Sequence, residues 1–94
     1  MTATALIELE TTIINKLGLH ARAASEFVRI AQKYGCEITV IREDLSANGK
    51  SIISMMMLQA TKGTQISLRC EGEDEKEAIK ALIDTIGNRF GEDE

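Results

Sequence analysis

The sequence predicts an α+β fold, a two-layer sandwich with its elements in the order βαββαβα. Segments of alternating or β-branched residues are interleaved with segments whose apolar residues recur at helical spacing. The short connections between residues 36 and 48 favour an antiparallel strand pair. Helices with a single apolar stripe bury that stripe, so they are expected to cover one face of the sheet.

The length of the chain permits one hydrophobic core and hardly two. Its 94 residues lie near the lower limit of ordinary domains, so residues 1–94 are treated as a single domain. Apolar residues make up 44% of the chain and charged residues 28%, which is the balance of a folded, soluble protein. The sequence contains no proline and no low-complexity linker, so a compact domain is expected.

Four segments are predicted to be strands. Residues 6–14, 36–42 and 65–70 are rich in β-branched residues or alternate between the two sides of a strand. Residues 45–48 follow a short turn and form the remaining predicted strand.

Two amphipathic helices and one short apolar helix are predicted. Residues 21–34 carry one apolar stripe and end before Gly35, and residues 74–90 carry a second stripe. Residues 52–59 are rich in methionine, which favours a helix, and Ser51 before them is a candidate N-cap. The stripe residues are Ala24, Phe27, Val28, Ala31 and Tyr34 in the first helix, and Ala78, Ile79, Leu82, Ile83, Ile86 and Phe90 in the last.

The charge balance argues against several classes of partner. The net charge of −4 disfavours nonspecific binding to nucleic acid or to an anionic membrane, so neither is an expected partner. No apolar run approaches the ~20 residues that a membrane-spanning helix needs. The N-terminus also lacks the basic start and apolar stretch of a secretion signal, so the cytoplasm is the expected compartment.

The cysteines and the single histidine do not suggest a metal site. Cys36 and Cys70 are not in a CxxC spacing, and without an export signal they are expected to be reduced structural thiols. Zinc would need scattered ligands, because His20 is the only histidine. Neither a metal nor a cofactor is expected.

His20 is the candidate functional residue because it stands where the first helix should begin. The first N–H groups of a helix have no partners within it, and with the helix dipole they favour an anion. A phosphoryl group on the imidazole would lie near those N–H groups, and Arg22 would add a cationic donor. From the residues alone, helix capping or packing by His20, with Arg22 solvated, is the favoured interpretation. A general-base role in hydrolysis lacks a recognisable Ser or Cys nucleophile nearby.

The segment 15–24, Asn-Lys-Leu-Gly-Leu-His-Ala-Arg-Ala-Ala, resembles the active-site motif of the HPr family of phosphocarrier proteins. The resemblance extends to residues 49–52, 62–64 and 71–75, and thus covers nearly the whole chain. It implies an open-faced sandwich, in which three helices cover one face of a four-stranded antiparallel sheet.

The resemblance also implies a function. His20 would carry the phosphoryl group and Arg22 would stabilise it. An enzyme I charged by phosphoenolpyruvate would be the donor, and an enzyme IIA-type protein the acceptor. Such a protein is a carrier and not a stand-alone catalyst. Ala23 departs from the pattern, since the family commonly has proline there; a small loss of rigidity and no loss of function are expected.

The segment around the short helix suggests regulation and docking. Ser51 matches a position that a dedicated kinase, HPr kinase, phosphorylates in some family members, and it is also a candidate helix cap. The apolar run after it cannot all face one core, so Ile52, Ile53 and Met56 are candidate partner-binding residues. Met55 is a weaker candidate for the same role, and core packing is the alternative for all of them.

Two branches of the family and two other functions compete. The Asn15–Gly18 segment, the methionine run with Lys62-Gly63 after it, and the acidic tail resemble the nitrogen-type carrier (NPr) more closely than the sugar-transport HPr. An interaction module that binds partners without carrying phosphate is disfavoured by the presence of His20 and Arg22. The other competing function is a metal-independent hydrolase, which predicts that the protein turns over small esters in a reaction that depends on His20. A monomer is expected, since a dimer could hide the docking surface.

Overall fold

The computed structural model describes residues 6–94, and its elements follow the predicted order. The strands are β1 (Leu6–Thr12), β2 (Glu37–Arg42), β3 (Leu45–Asn48) and β4 (Gln65–Glu71). The helices are α1 (Ala21–Ala31), α2 (Ile52–Met56) and α3 (Glu75–Gly87), and a 3₁₀ turn, Arg89–Gly91, follows α3. The predicted α+β class and the βαββαβα order are confirmed.

The four strands form one antiparallel sheet in the order β1-β4-β2-β3. β4 lies in the centre, where Leu68 is opposite Leu9 of β1 and Val40 of β2. β2 and β3 form a hairpin, as the short connection predicted. The central position of β4 means that the last strand in the sequence joins the first strand to the hairpin.

The core lies between one face of the sheet and the three helices. Leu68 and Val40 are fully buried from the sheet side, and Phe27 and Leu82 are fully buried from α1 and α3. Each such side chain stabilises the fold by about 1.5–3 kcal/mol relative to an exposed position. The opposite face of the sheet carries polar neighbours such as Glu8 and Arg69, which are paired across β1 and β4.

The main difference from the predicted elements is the end of α3. The apolar stripe continues at helical spacing to Phe90, but the helix ends at Gly87. Arg89, Phe90 and Gly91 all have left-handed backbone conformations, with φ of 56°, 55° and 81°. The chain therefore turns back, while Phe90 remains in the core at 5% exposure. α1 is also shorter than predicted, because it ends at Ala31 and not at Tyr34.

Both cysteines are buried and unpaired. Burial, with a smaller contribution from a hydrogen bond to Asp74, raises the pKa of the Cys36 thiol to about 12. This thiol is therefore protonated at neutral pH and is a poor nucleophile. Over residues 6–94, no helix has the length and apolar character needed to cross a membrane.

Candidate functional site

His20 occupies the N-cap position of α1, as the sequence predicted. Its backbone is extended, with φ −76° and ψ −179°, and its side chain makes no capping hydrogen bond. The first turn is closed by the Ala24 N–H, which donates to the His20 carbonyl at 2.8 Å. Because the imidazole does not cap the helix, the first N–H groups of α1 are left without a side-chain acceptor from this residue.

The loop before His20 depends on a glycine. Gly18 has φ +69°, and its N–H donates to the Asn15 carbonyl at 3.2 Å. The next residue, Leu19, donates to the Ala60 carbonyl at 2.8 Å and so ties the loop to the segment before β4. A Cβ on Gly18 would lie 2.6 Å from the Ala60 oxygen, so no larger residue fits without moving the backbone.

The imidazole is held by a residue near the C-terminus. His20 Nε2 lies 2.6 Å from Oε2 of Glu92, and the other oxygen of that carboxylate accepts a hydrogen bond from Asn15 Nδ2 at 3.0 Å. The same Asn15 amide donates to the Gly18 carbonyl at 2.7 Å, and the Asn15 side chain is fully buried. Asn15, Glu92 and His20 thus form one continuous hydrogen-bonded chain.

The segment 91–94, called here the C-terminal tail, is fixed at both ends. On one side the buried Phe90 ring anchors it to the core. On the other side the Lys16 N–H donates to the Glu94 carbonyl at 3.0 Å, and Lys16 Nζ lies 3.6 Å from the Glu94 carboxylate. The side-chain ion pair is exposed and contributes little, so the backbone bond and Phe90 are the stronger anchors.

The Glu92 carboxylate is ionised in this setting. Burial raises its pKa, but the hydrogen bonds from Asn15 and His20 and the positive charges of Arg22 and of His20 in its protonated form together outweigh that effect and hold the pKa below its ordinary value. The Glu92 side chain is 11% exposed, whereas that of His20 is 31% exposed. The imidazole is therefore accessible from solvent, while the carboxylate that holds it is largely covered.

A cleft of about 530 Å³ opens beside the imidazole. It is lined by Lys16, Leu17, His20 and Arg22 and by the C-terminal tail. Arg22 is exposed and lies in the first turn of α1, as predicted. Two cationic side chains and a helix N-terminus thus line the same cleft as the imidazole and can attract a phosphate-sized anion. The tail adds three carboxylates to the same lining, those of Glu92, Asp93 and Glu94.

The remaining predicted residues lie on α2. Ser51 is its N-cap, and the Ser51 hydroxyl accepts a hydrogen bond from the Ser54 N–H at 3.2 Å, so the predicted cap is confirmed. Ile52, Ile53 and Met56 are 40%, 74% and 40% exposed, whereas Met55 is fully buried. We call Ile52, Ile53 and Met56 the α2 patch; α2 packs beside α1, and the patch's role in binding stays a prediction.

Sequence reasoning missed the contribution of Glu92 and the role of Asn15. Asn15 belongs to the motif around His20, but nothing in the motif shows that its amide is directed at a distant carboxylate. Glu92 belongs to an acidic terminal run that has the appearance of a solvated tail. The only available indication was Phe90, an apolar residue late in the chain that must be buried and so brings the tail to the body of the protein.

Comparison with known proteins identifies the family. Residues 7–88 match the family model described as "PTS HPr component phosphorylation site". The chain is 56% identical over 87 residues to the phosphocarrier protein HPr of Pseudomonas aeruginosa, covering 92% of this chain and 97% of that protein. It is 35% identical over 86 residues to the phosphocarrier protein NPr of Shewanella violacea, covering 92% of this chain and 94% of that one.

A solved structure agrees with these relatives. The structure of HPr from Thermoanaerobacter tengcongensis superimposes with a TM-score of 0.89 at 44% identity, covering 94% of this chain and 99% of that one. The open-faced sheet with three helices on one face is thus common to both. Together with the imidazole at the start of α1, these matches show that the chain belongs to the HPr family, the phosphocarriers of the phosphotransferase system.

Proposed function

We propose that His20 is the residue that carries the phosphoryl group, and that Nδ1 is the nitrogen that accepts it. One observation carries the proposal: Nε2 is hydrogen-bonded to the Glu92 carboxylate, while Nδ1 makes no hydrogen bond with any group of residues 6–94. A neutral imidazole with one nitrogen engaged and the other free is a nucleophile near pH 7. The family membership supplies the reaction in which such a nucleophile is used.

The transfer requires no external reagent beyond donor and acceptor. The Nδ1 lone pair attacks the phosphorus of the phosphorylated donor, and the bond between phosphorus and the donor breaks with its electron pair leaving on the donor. The reverse exchange moves the group from Nδ1 to an acceptor. The guanidinium of Arg22 and the first N–H groups of α1 stabilise the negative charge on the phosphoryl oxygens in both directions.

The family implies an enzyme I-type donor and an enzyme IIA-type acceptor. Both partners must reach His20, and the exposed apolar side chains of Leu17 and of the α2 patch are the candidates for a shared docking surface. A monomer leaves this surface open. Sedimentation should therefore give a mass of 10.3 kDa, and a mass of twice that value would contradict this arrangement.

The nitrogen-regulatory branch, which the sequence favours, stays a prediction. Relatives with 56% and 48% identity bear the name HPr, and one with 35% identity bears the name NPr. The donor that phosphorylates the chain faster distinguishes the two branches. Phosphorylation is therefore to be compared with donors of both branches.

The test is incubation of the purified protein with phosphoenolpyruvate and an enzyme I of either branch, followed by intact-mass measurement. We expect one acid-labile phosphate, which disappears in His20→Ala. Arg22→Ala should slow the transfer by about 10–100-fold, because charge-assisted hydrogen bonds to the phosphoryl group are lost. Arg29→Ala is the matched control, since Arg29 lies on the same helix and pairs with Glu26 away from the cleft.

No phosphate with either donor would favour a module that binds partners through the α2 patch without carrying phosphate. A phosphate that persists in His20→Ala would move the acceptor to another residue.

A further inference from the structure

We propose that Glu92, held in place by Asn15, is a positioning residue that keeps the proton of His20 on Nε2 and so presents the Nδ1 lone pair to the phosphoryl donor. The inference rests on the proposed function, because it concerns how the same imidazole is prepared. The motif around His20 gives no sign of this contact, since Glu92 lies 72 residues away along the chain.

The chemistry of the contact fixes the tautomer. An ionised carboxylate can only accept hydrogen bonds, so the imidazole nitrogen that faces it must carry the proton. The separation of 2.6 Å between Nε2 and Oε2 is shorter than an ordinary N–H···O bond and lies just below the range of charge-assisted bonds. The neutral imidazole then has its lone pair on Nδ1 and nowhere else.

The carboxylate can perform this role because it is itself held. Asn15 Nδ2 donates to the second oxygen of Glu92 at 3.0 Å and to the Gly18 carbonyl at 2.7 Å. Asn15 is fully buried, so its amide has little freedom to turn away. Asn15 thereby ties the carboxylate to the same loop that carries His20. This fixes the orientation of the imidazole plane relative to α1.

The contact strengthens as the reaction proceeds. When Nδ1 bonds to phosphorus, the imidazole ring gains positive charge, which is shared with Nε2. Its attraction to the Glu92 carboxylate is therefore larger in the transition state and in the phosphorylated form than in the free carrier. Only such a differential interaction accelerates the chemical step. We expect loss of the carboxylate to slow phosphorylation about tenfold.

The first measurement is a long-range ¹H–¹⁵N spectrum of the imidazole. His20 is the only histidine in the chain, so the spectrum contains one imidazole and needs no assignment. At a pH of about 8.5, where an ordinary imidazole is neutral, we expect a protonated, slowly exchanging Nε2 and an unprotonated Nδ1. Glu92→Ala should expose Nε2–H to rapid exchange and raise the population of the other tautomer.

Two further variants test the direction of the bond. In Glu92→Gln the Asn15 amide still donates to the side-chain oxygen, so the new NH₂ group faces Nε2 and donates to it. The proton should therefore move to Nδ1, and the rate should fall below that of Glu92→Ala. Asp93→Asn is the matched control, because Asp93 is an exposed carboxylate of the same tail that makes no hydrogen bond to His20. Asp93→Asn should leave the imidazole spectrum as in the wild type.

The rate of transfer from enzyme I completes the test. The order expected, from the fastest transfer to the slowest, is wild type, Glu92→Ala and Glu92→Gln, with Asn15→Ala showing the same tautomer change as Glu92→Ala. An unchanged spectrum and rate in Glu92→Ala would overturn the inference and leave the carrier function intact. A faster rate in Glu92→Ala would also overturn it, because the tail would then obstruct the imidazole. Failure of the wild type to accept phosphate from either donor would instead refute the proposed function.

Discussion

The N-termini of α1 and α2 are built in opposite ways. At α2 the Ser51 hydroxyl accepts a hydrogen bond from the Ser54 N–H at 3.2 Å, and the Ser54 hydroxyl in turn accepts one from the Asn48 N–H at 2.9 Å. At α1 the equivalent position is His20, whose side chain turns away from the helix to Glu92. One helix start is closed by its own side chains, and the other is left open.

The difference shows how a short domain separates structure from chemistry. An uncapped helix start is less stable by about 0.5–2 kcal/mol than one with a good cap, and it presents unpaired N–H groups to an arriving anion. A capped start gains that stability but has no vacancy for a ligand. The α3 start follows a third arrangement, since the Asp74 carboxylate accepts bonds from the Gly35 and Cys36 N–H groups and joins two loops.

Gly18→Ala, in the loop that leads into the open helix start, should lower the stability of the protein most. Gly18→Ala combines a left-handed φ of +69° with a Cβ placed 2.6 Å from the Ala60 carbonyl oxygen. We expect a loss of about 2–4 kcal/mol in the free energy of unfolding, measured by urea denaturation. Gly63→Ala is the matched control, because Gly63 also has a positive φ, +90°, but open space around its Cβ position.

The control isolates the close approach from the backbone strain. Gly63→Ala should cost only about 1 kcal/mol, which is the conformational penalty alone. Equal losses in the two variants would mean that the Ala60 contact yields to the new methyl group, and that the α1 loop is less tightly fixed than its hydrogen bonds indicate.

The next effect concerns the closed helix start. Ser51→Ala removes the cap of α2 and should lower the free energy of unfolding by about 1 kcal/mol, whereas Ser51→Asp keeps a capping oxygen and should lie within about 0.5 kcal/mol of the wild type. The Asp variant places a negative charge beside the α2 patch, so it should slow transfer from enzyme I while the fold is kept. Thermal unfolding and transfer rates check both parts.

Regulatory phosphorylation of Ser51 is separate from its role as the N-cap of α2. Phosphate at this position is electrostatically compatible with a helix start, so modification should hinder docking more than folding. Incubation with an HPr kinase and mass measurement tests it. An unmodified Ser51 would leave the residue with its capping role alone.

The contact between Glu92 and His20 at the open helix start should make stability depend on pH. The pKa of Glu92 is lower in the folded protein than its ordinary value, so the folded state favours the carboxylate. Its contribution to stability is therefore fully present above the unfolded pKa and is lost as the pH falls through the folded pKa. Between pH values of about 5 and 3, the wild type should lose more stability than Glu92→Gln.

The measurement is urea unfolding at each pH, with Asp93→Asn as the control. Asp93 is exposed and makes no bond to the imidazole, so Asp93→Asn should follow the wild-type slope. A Glu92→Gln slope equal to that of the wild type would show that the contact with His20 does not persist in solution.

The two helix starts were predictable from the sequence because both are local. The residues from Asn15 to Ala24 form one continuous motif, and Ser51 directly precedes an apolar helical segment. The strand pattern likewise gave the order of the elements. Nothing local marks the contact between His20 and Glu92, because its partners are far apart in the sequence and meet only through the packed core.

The turn that brings Glu92 to the site was not predicted, because the apolar residues before it keep helical spacing. Phe90 falls at helical spacing from Ile86, so the pattern predicts a helix that continues to Phe90. Arg89 and Phe90 instead adopt positive φ angles that non-glycine residues rarely take. Burial of Phe90 and the bonds of the tail to Asn15 and Lys16 stabilise this conformation, and these are tertiary interactions that no sequence window contains.

Ala23→Pro, which restores the proline expected from the family motif, should change the stability least. Ala23 lies in the first turn of α1, and the first hydrogen bond within the helix is donated by Ala24, so proline at 23 removes no bond that the helix uses. Ala23→Pro should raise the free energy of unfolding by about 0.4–1 kcal/mol, because it restricts the unfolded chain. Ala31→Pro, in the last turn of the same helix, is the contrasting control and should destabilise the protein by about 3 kcal/mol. Ala23 is fully buried, so a loss of stability in Ala23→Pro would show that the core around it has adapted to the smaller side chain, and that the open helix start is held by packing more than by backbone preference.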